Sequence, residues 1–441
     1  MKRQNFEKFG EDIFSRLKEG EELNFNLSME QSLFVRFNEG KSRQVTDVAQ
    51  GNITFNYQAG DRTYKYQIPY TGDPQINAQR AERALDICRE KIKELPADSF
   101  QIPMENLGES IEEFAGELPT LNQVTETLFE KTKGLDFVGQ LAMGNQVRAN
   151  MNSKGQKHWF LSENFQVDYS FYTDGQKALK GLYAGRNWDG EKFSLELENS
   201  KKELEILKKP ERKLERGKYK VYLAPAALSE IVDMMSWGGV SYSALKRGRC
   251  AFKMLHDGEK TFSPKFNLSE DFSLGLTPKF NDRGEISPKE LCLVKDGKLE
   301  TLLINSRTAK EYEIKANGAS AYEGMRSSKI DTGELEKSSV LQALQDGIYI
   351  SNLHYLNWSD IQKGRLTGMT RYACFWVENG EIKTPIADLR FDESLYNIFG
   401  QNLESITNFG EIIPHVGSYG QRSLGGKEVP GMIVNDFHFT L

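Results

Sequence analysis

The stretch that most constrains the fold is residues 347–390. Two short runs rich in β-branched and aromatic residues, 348–355 and 372–377, flank a polar connection. Glu378-Asn379-Gly380-Glu381 then turns the chain into a further short run, 382–386. Asn-Gly between apolar runs signals a hairpin, because both residues tolerate the positive φ that a tight two-residue turn demands. The stretch therefore reads as an antiparallel β unit with one conspicuous loop, 363–371. That loop, Gly364-Arg365-Leu366-Thr367-Gly368-Met369-Thr370-Arg371, carries too much Gly and Thr for a helix interior. It reads either as a tight loop with solvated arginines or as a place where backbone amides, Arg365 and Arg371 approach a partner.

Composition bounds the rest. At 441 residues the chain is long enough for two or three domains with real cores. The net charge is −6 and no long basic stripe is present, which argues against nucleic acid as a partner. The four cysteines, Cys88, Cys250, Cys292 and Cys374, are scattered without a CxxC pair and read as reduced thiols of a cytoplasmic protein. No apolar run approaches the ~20 residues that span a bilayer, and the N-terminus lacks the apolar core of a signal peptide. The expectation is a soluble cytoplasmic protein with no membrane partner.

In chain order, Phe6, Phe9, Ile13, Phe14 and Leu17 fall at helical spacing, so residues 4–18 open with an amphipathic helix. A β meander follows at 32–37, 51–57 and 62–70, and Asp73-Pro74 opens a helix over 75–94. A second unit begins near Pro119, with a helix over 120–132 and a long hairpin, 137–150 and 158–172, turning at Asn152-Ser153-Lys154-Gly155. Residues 176–200 read as helix or irregular structure. The segment 207–218, LKKPERKLERGK, is charged and carries Pro210, the mark of a linker. Beyond it a strand at 219–223 precedes a helix over 226–237, then short strands and glycine-bearing loops. The expected fold is α+β: helix/antiparallel-sheet domains at 1–115 and 116–206, a linker at 207–218, and a β-rich, barrel- or sandwich-like domain at 219–441.

The ordered run Gly347-Ile348-Tyr349, Leu353-His354-Tyr355-Leu356-Asn357, Arg365 through Arg371, Glu378-Asn379-Gly380-Glu381-Ile382 and Leu389-Arg390-Phe391 resembles the C-terminal domain of the TldD/TldE (PmbA) family, also called modulators of DNA gyrase. The resemblance is strongest over about residues 217–441, and the Asn152-Ser153-Lys154-Gly155 turn is similar to a family element too. It implies a heteromeric protease in which a TldD-type subunit supplies zinc and a TldE-type subunit completes the chamber. It also implies action on unfolded or small peptides, including maturation of peptide antibiotics and breakdown of labile antitoxins. TldD-type members carry His-Glu-x-x-x-His on the helix after the 219–223 strand, and a cysteine near the C-terminus. The matching positions here are Ser229-Glu230-Ile231-Val232-Asp233-Met234 and Val416-Gly417-Ser418-Tyr419-Gly420, so Ser229, Met234 and Tyr419 replace the metal ligands and Glu230 stays.

Zinc takes three or four ligands of His, Cys or carboxylate type at about 2.0–2.3 Å. A hydroxyl, a thioether and a protonated phenol are poor substitutes, and without metal the attacking water keeps its high pKa. None of the five histidines, His158, His256, His354, His415 and His438, falls at helical spacing from another. The expectation is thus no cofactor in this chain, with zinc only in a TldD-type partner. The chain reads as a non-catalytic TldE/PmbA-like subunit, self-associating or paired with a TldD-type subunit. It is expected to bind extended peptide by strand addition. Arg365, Thr367, Gly368, Arg371 and His354 are the candidate contacts to peptide or to the subunit seam. Two other readings stay open. One is a hydrolase with an unorthodox metal site built from Glu230, Asp233 and a distant His415; the other is a gyrase-modulating binding protein.

Overall fold

The structure, a computed structural model, describes residues 2–175 and 177–440. Met1, Leu441 and Gln176 (the first residue of the ambiguous stretch 176–200) lie outside the described residues. The first half opens with α1 (Arg3–Phe14), which buries Phe6, Phe9 and Ile13. Then come β1 (Glu21–Asn38), β2 (Lys41–Ala59), β3 (Arg62–Pro69) and α2 (Pro74–Lys91). Asp73 caps α2 by accepting from Gln75 N and Ile76 N, with Pro74 at the first helical position, where its missing N–H has no helical partner. The half is completed by β4 (Glu109–Phe114), α3 (Leu121–Lys131), β5 (Asp136–Asn152), β6 (Lys157–Tyr172), β7 (Ala178–Gly185) and α4 (Gly190–Leu207). The ambiguous stretch is therefore strand, then helix, with Asp189 capping α4 by accepting from Lys192 N at 2.9 Å.

These strands form one sheet in the order β3-β2-β1-β5-β6-β4, and β7 shares the outer edge of β6 with β4. The sheet runs across the expected division at 115/116, because β1 and β5 pair from Asn24↔Asn152 to Phe37↔Gly139. A period of two runs through β1, β2, β5 and most of β6. Odd positions such as Phe25, Leu27, Val35, Leu141, Val147, Val167 and Tyr169 face the four helices and form the core. Even positions carry Asn24, Asn26, Glu30, Gln146, Asn150, Asn164 and Gln166, and this polar face lies under the C-terminal half. The strands outrun the expected ones: residues 41–50 of β2 are mostly exposed and polar, an arm held by its ladder to β1 without an apolar stripe for the sequence to show.

Residues 208–216 are tied down, with Arg212 N donating to Pro385 O at 2.7 Å and its guanidinium 4.4 Å from the Trp376 ring. The second half begins with β8 (Gly217–Leu223) and α5 (Pro225–Met234). Its strands continue as β9 (Leu268–Asp271), β10 (Glu290–Lys295), β11 (Lys298–Leu299), β12 (Ser327–Ile330), β13 (Gly347–Ile350) and β14 (Asn352–Asp360). They end with β15 (Arg365–Arg371), β16 (Phe375–Glu378), β17 (Glu381–Pro385), β18 (Arg390–Ser394), β19 (Leu403–Pro414) and β20 (Gly426–Phe439). β20 is the hub, pairing with β8, β12, β18 and β19. The sheet stays open and sandwich-like; among the described residues it does not close into a barrel.

The β16–β17 hairpin turns on Asn379 (φ 52°) and Gly380 (φ 74°), as the sequence requires. The segment 363–371 is a correction. It is not a loop but the strand β15, seated between β14 and β18, with only Gly364 (φ 58°) acting as a turn residue. Its small inward residues mimic loop composition: a Cβ at Gly368 would stand 2.8 Å from the Phe391 ring, so glycine there answers to packing.

Candidate functional site at the seam around α5

Two loops of the C-terminal half rest on the polar face of the first sheet. Asn24 Nδ2 and Asn26 Nδ2 donate to Asp282 O at 2.9 and 2.7 Å, and Gln156 Nε2 donates to Arg283 O at 2.9 Å. The second loop, 416–424, is held the same way. Gln146 Nε2 donates to Arg422 O and Ser423 O, Gln50 Nε2 to Gly420 O, and Gln166 Nε2 to Val416 O. Side-chain amides thus read main-chain carbonyls, so each buried acceptor is met. Arg422 is the peg of this loop. It is 2% exposed, donates to Ser32 Oγ and to Asn164 Oδ1, and lies near the buried Glu30. Desolvation pushes its pKa down to about 10, with Glu30 opposing the shift.

The chain enters α5 from β8 through Ala224, extended, and Pro225 at the first helical position. Ala227, Leu228, Ile231 and Val232 pack into the core, which turns Glu230 and Asp233 outward. Ser229 is buried, and its hydroxyl donates to Ala226 O at 2.8 Å within its own helix. Met234 is buried as well, its thioether taken up by packing. Solvent reaches Glu230, yet the protein around it raises its carboxyl pKa by desolvation, with the charge of Asp233 adding to the effect.

Lys427, from the start of β20, is the unforeseen member of this site. Its side chain is 3% exposed, and its Nζ lies 2.5 Å from Asp233 Oδ1 and 3.4 Å from Ser229 O. His415 Nε2 stands 3.9 Å from the same Asp233 oxygen, while Nδ1 faces Leu424 O at 3.3 Å. The His415 pKa is lowered by desolvation first and by the Lys427 ammonium second. The only hint in the sequence is a lone cation opening the apolar run 429–434. Tyr419 is fully exposed at the tip of its loop, so nothing on α5 covers its ring.

A zinc site wants three or four His, Cys or carboxylate donors around one point. Among the described residues no three such side chains are placed to share an ion. At α5 the serine hydroxyl is spent on its own helix, the methionine is sealed in the core, and an ammonium already sits on Asp233. The residues at this place do not fit a zinc ion.

The second group of candidates lies on the neighbouring strands. β14 packs beside α5 and, among the described residues, pairs only with β15. His354 is partly exposed there, its ring 4.0 Å from that of Tyr355; desolvation lowers its pKa, with the Arg371 charge second. Arg365 pairs with Asp392 across to β18, Nε at 3.0 Å and Nη2 at 2.5 Å from Oδ1. Thr367 Oγ1 donates to Phe391 O at 2.8 Å. Arg371 is exposed at the end of β15, 5.2 Å from the Tyr372 ring, and lines a polar cavity with Lys177, Glu211 and Asp388. Arg365 lines a different cavity, with Lys363, Ser394 and Tyr396, so the two arginines do not share a site.

Over residues 216–441, just over half of the chain, the sequence matches the profile of the PmbA/TldA metallopeptidase C-terminal domain. No curated protein sequence matches it significantly. A protein from Thermotoga maritima described as a modulator of DNA gyrase shares the fold with a TM-score of 0.77 at 15% identity, over 99% of this chain and 100% of the other. TldE from Thermococcus kodakarensis gives 0.75 at 13% identity, over 99% of each chain. A protein from Bacteroides thetaiotaomicron, also described as a modulator of DNA gyrase, gives 0.73 at 14% identity over 99% of this chain and 98% of the other. The solved structures speak for the fold, the profile for the lineage: this chain belongs to the PmbA/TldD metallopeptidase family.

Proposed function

We propose that the chain is the metal-free, non-catalytic subunit of a TldD/TldE-type peptidase assembly that handles unfolded or small peptides. The observation that carries this reading is Lys427: a buried ammonium on Asp233 supplies positive charge where the family resemblance puts a metal. A fixed cation there keeps the acidic mouth of α5 electrostatically satisfied without zinc, but offers no metal-activated water. Peptide binding by strand addition fits the edge of β14 left unpaired among the described residues, where exposed Tyr355, Asn357 and Ser359 alternate with partly buried neighbours beside α5. Partnership with a TldD-type subunit is supported by the likeness to TldE.

The test is the metal content of protein purified without chelator and re-supplied with zinc. Below about a tenth of an equivalent is expected, together with co-elution with a TldD-type subunit. The competing metal-hydrolase reading has one observation in its favour, the approach of His415 to Asp233. Near one equivalent of zinc, lost on Glu230→Ala, would establish that reading in place of ours.

A further inference from the structure

A cavity of about 200 Å³ lies at the seam, beside His415. Its walls come from β6 (Asn164, Phe165, Gln166), from Arg186 just past β7, from residues 274–276, and from Ile412, Pro414, His415 and residues 423–425 around the second loop. Among the described residues no Asp or Glu lines it, and Arg186 is its one permanent cation. Arg186 Nη1 donates to Leu274 O at 3.2 Å, and the guanidinium lies 4.9 Å from the centre of the Phe114 ring. A guanidinium carries five N–H donors, so most of its capacity stays open. Gly275 makes room for it: at φ +67° the residue sits in left-handed backbone, and a side chain there would overlap Arg186 and the Phe114 ring. Leu274, Leu276 and Ile412 give the cavity an apolar wall, and uncharged polar side chains such as Gln146, Asn164, Gln166 and Ser423 line much of the remainder.

We infer that this cavity binds the C-terminal carboxylate of an extended peptide, with Arg186 taking the anion and Leu274, Leu276 and Ile412 taking the last side chain. The inference rests on the peptide-handling reading above and names how such a peptide is anchored. The chemistry is a planar cation, stripped of part of its water and lacking a carboxylate in the cavity, facing an apolar wall. The size agrees: 200 Å³ falls below the roughly 300–1,000 Å³ of whole small-molecule sites and suits one terminal residue. His415 belongs to both this cavity and the α5 site, so a chain anchored here has its preceding residues beside Asp233.

The experiment is calorimetric titration of the full chain with N-acetyl-leucine, its amide, and a hexapeptide ending in leucine as free acid or amide. Acids are expected to bind about tenfold tighter than amides. Arg186→Gln is expected to erase that preference. So is Ile412→Glu, which leaves Arg186 in place and adds a carboxylate at a partly exposed wall position that tolerates it. An amidated hexapeptide ending in glutamate separates a side-chain carboxylate from a terminal one; binding as tight as the free acid would overturn the assignment to a terminus. Equal binding of acid and amide hexapeptides would overturn the anchor and leave the peptide-binding reading standing. Arg186-dependent binding of N-acetyl-leucine without hexapeptide binding would keep the carboxylate site and overturn the peptide reading. No binding of any probe would overturn both.

Discussion

At the scale of single residues, the pair Asp233–Lys427 is lopsided. Lys427 is buried and Asp233 is half exposed, so the two partners do not lose equally when one is removed. Asp233→Asn leaves a buried ammonium facing neutral acceptors, the new amide oxygen and Ser229 O at 3.4 Å, with no charge to offset it, whereas Lys427→Met leaves a carboxylate that water can reach and fills the hole with a side chain of similar length. Asp233→Asn is therefore expected to destabilise by about 2 kcal/mol, less than a fully enclosed pair would show. Lys427→Met should cost under about 1 kcal/mol. Thermal melts of the two variants check the order; equal losses would mean the pair is not the main support of either group. Sequence reasoning placed Ser229, Glu230 and Met234 together because they share one helix, where local spacing fixes the neighbours. It missed Lys427 because the contact from β20 back to α5 joins residues almost two hundred positions apart, and no local pattern encodes that distance.

At the scale of elements, local physics was legible and register was not. Asp73-Pro74 and Asn379-Gly380 each specify a cap or a turn through their own backbone preferences, and both stand where they were read. β15 was read as a loop because its composition, rather than its neighbours, was consulted. Seen between β14 and β18, its inward positions are Leu366, Gly368 and Thr370, with Gly368 small where its partner Phe391 is large. Gly368→Val is expected to destabilise by about 1–3 kcal/mol through overpacking against Phe391 and Leu356, measurable as a lower melting temperature. Arg365→Met should leave folding within about 1 kcal/mol, since its pair with Asp392 is partly solvated. If Arg365 serves the subunit seam, the same variant weakens association with a TldD-type partner; sedimentation of the mixture separates the two roles.

At the scale of the whole molecule, the seam between the halves is polar and pH-sensitive. His158 lies there, 2% exposed, stacked on Phe280 with ring centres 5.2 Å apart and its Nδ1 2.9 Å from Ser110 Oγ. Desolvation lowers its pKa to about 4, below the 6.5 of a free imidazole. The unfolded chain therefore binds a proton between those values that the folded chain refuses, so stability falls as pH drops from about 6.5 to about 4. The full effect is on the order of 3 kcal/mol. Glu203 works the other way: burial raises its carboxyl to about 7, so it gains as pH falls through the same range. The contribution of His158 is thus read as a difference: His158→Gln is expected to flatten the drop between pH 6.5 and 4 relative to the parent, in denaturant melts run at stepped pH. Parallel curves would show that His158 is not protonated on unfolding.

The amide-lined face of the first sheet also sets an order of events during synthesis. Arg422 and Asn164, which meet on that face, are 258 residues apart. At roughly 5–20 residues per second, a ribosome needs on the order of 10–50 s to travel from one to the other. For that interval the finished first sheet displays a surface of unmet amide donors, water-soluble and poor at recruiting apolar strangers. A nascent chain that waits so long for its last loop is safer with glutamines and asparagines on the waiting side than with a greasy one.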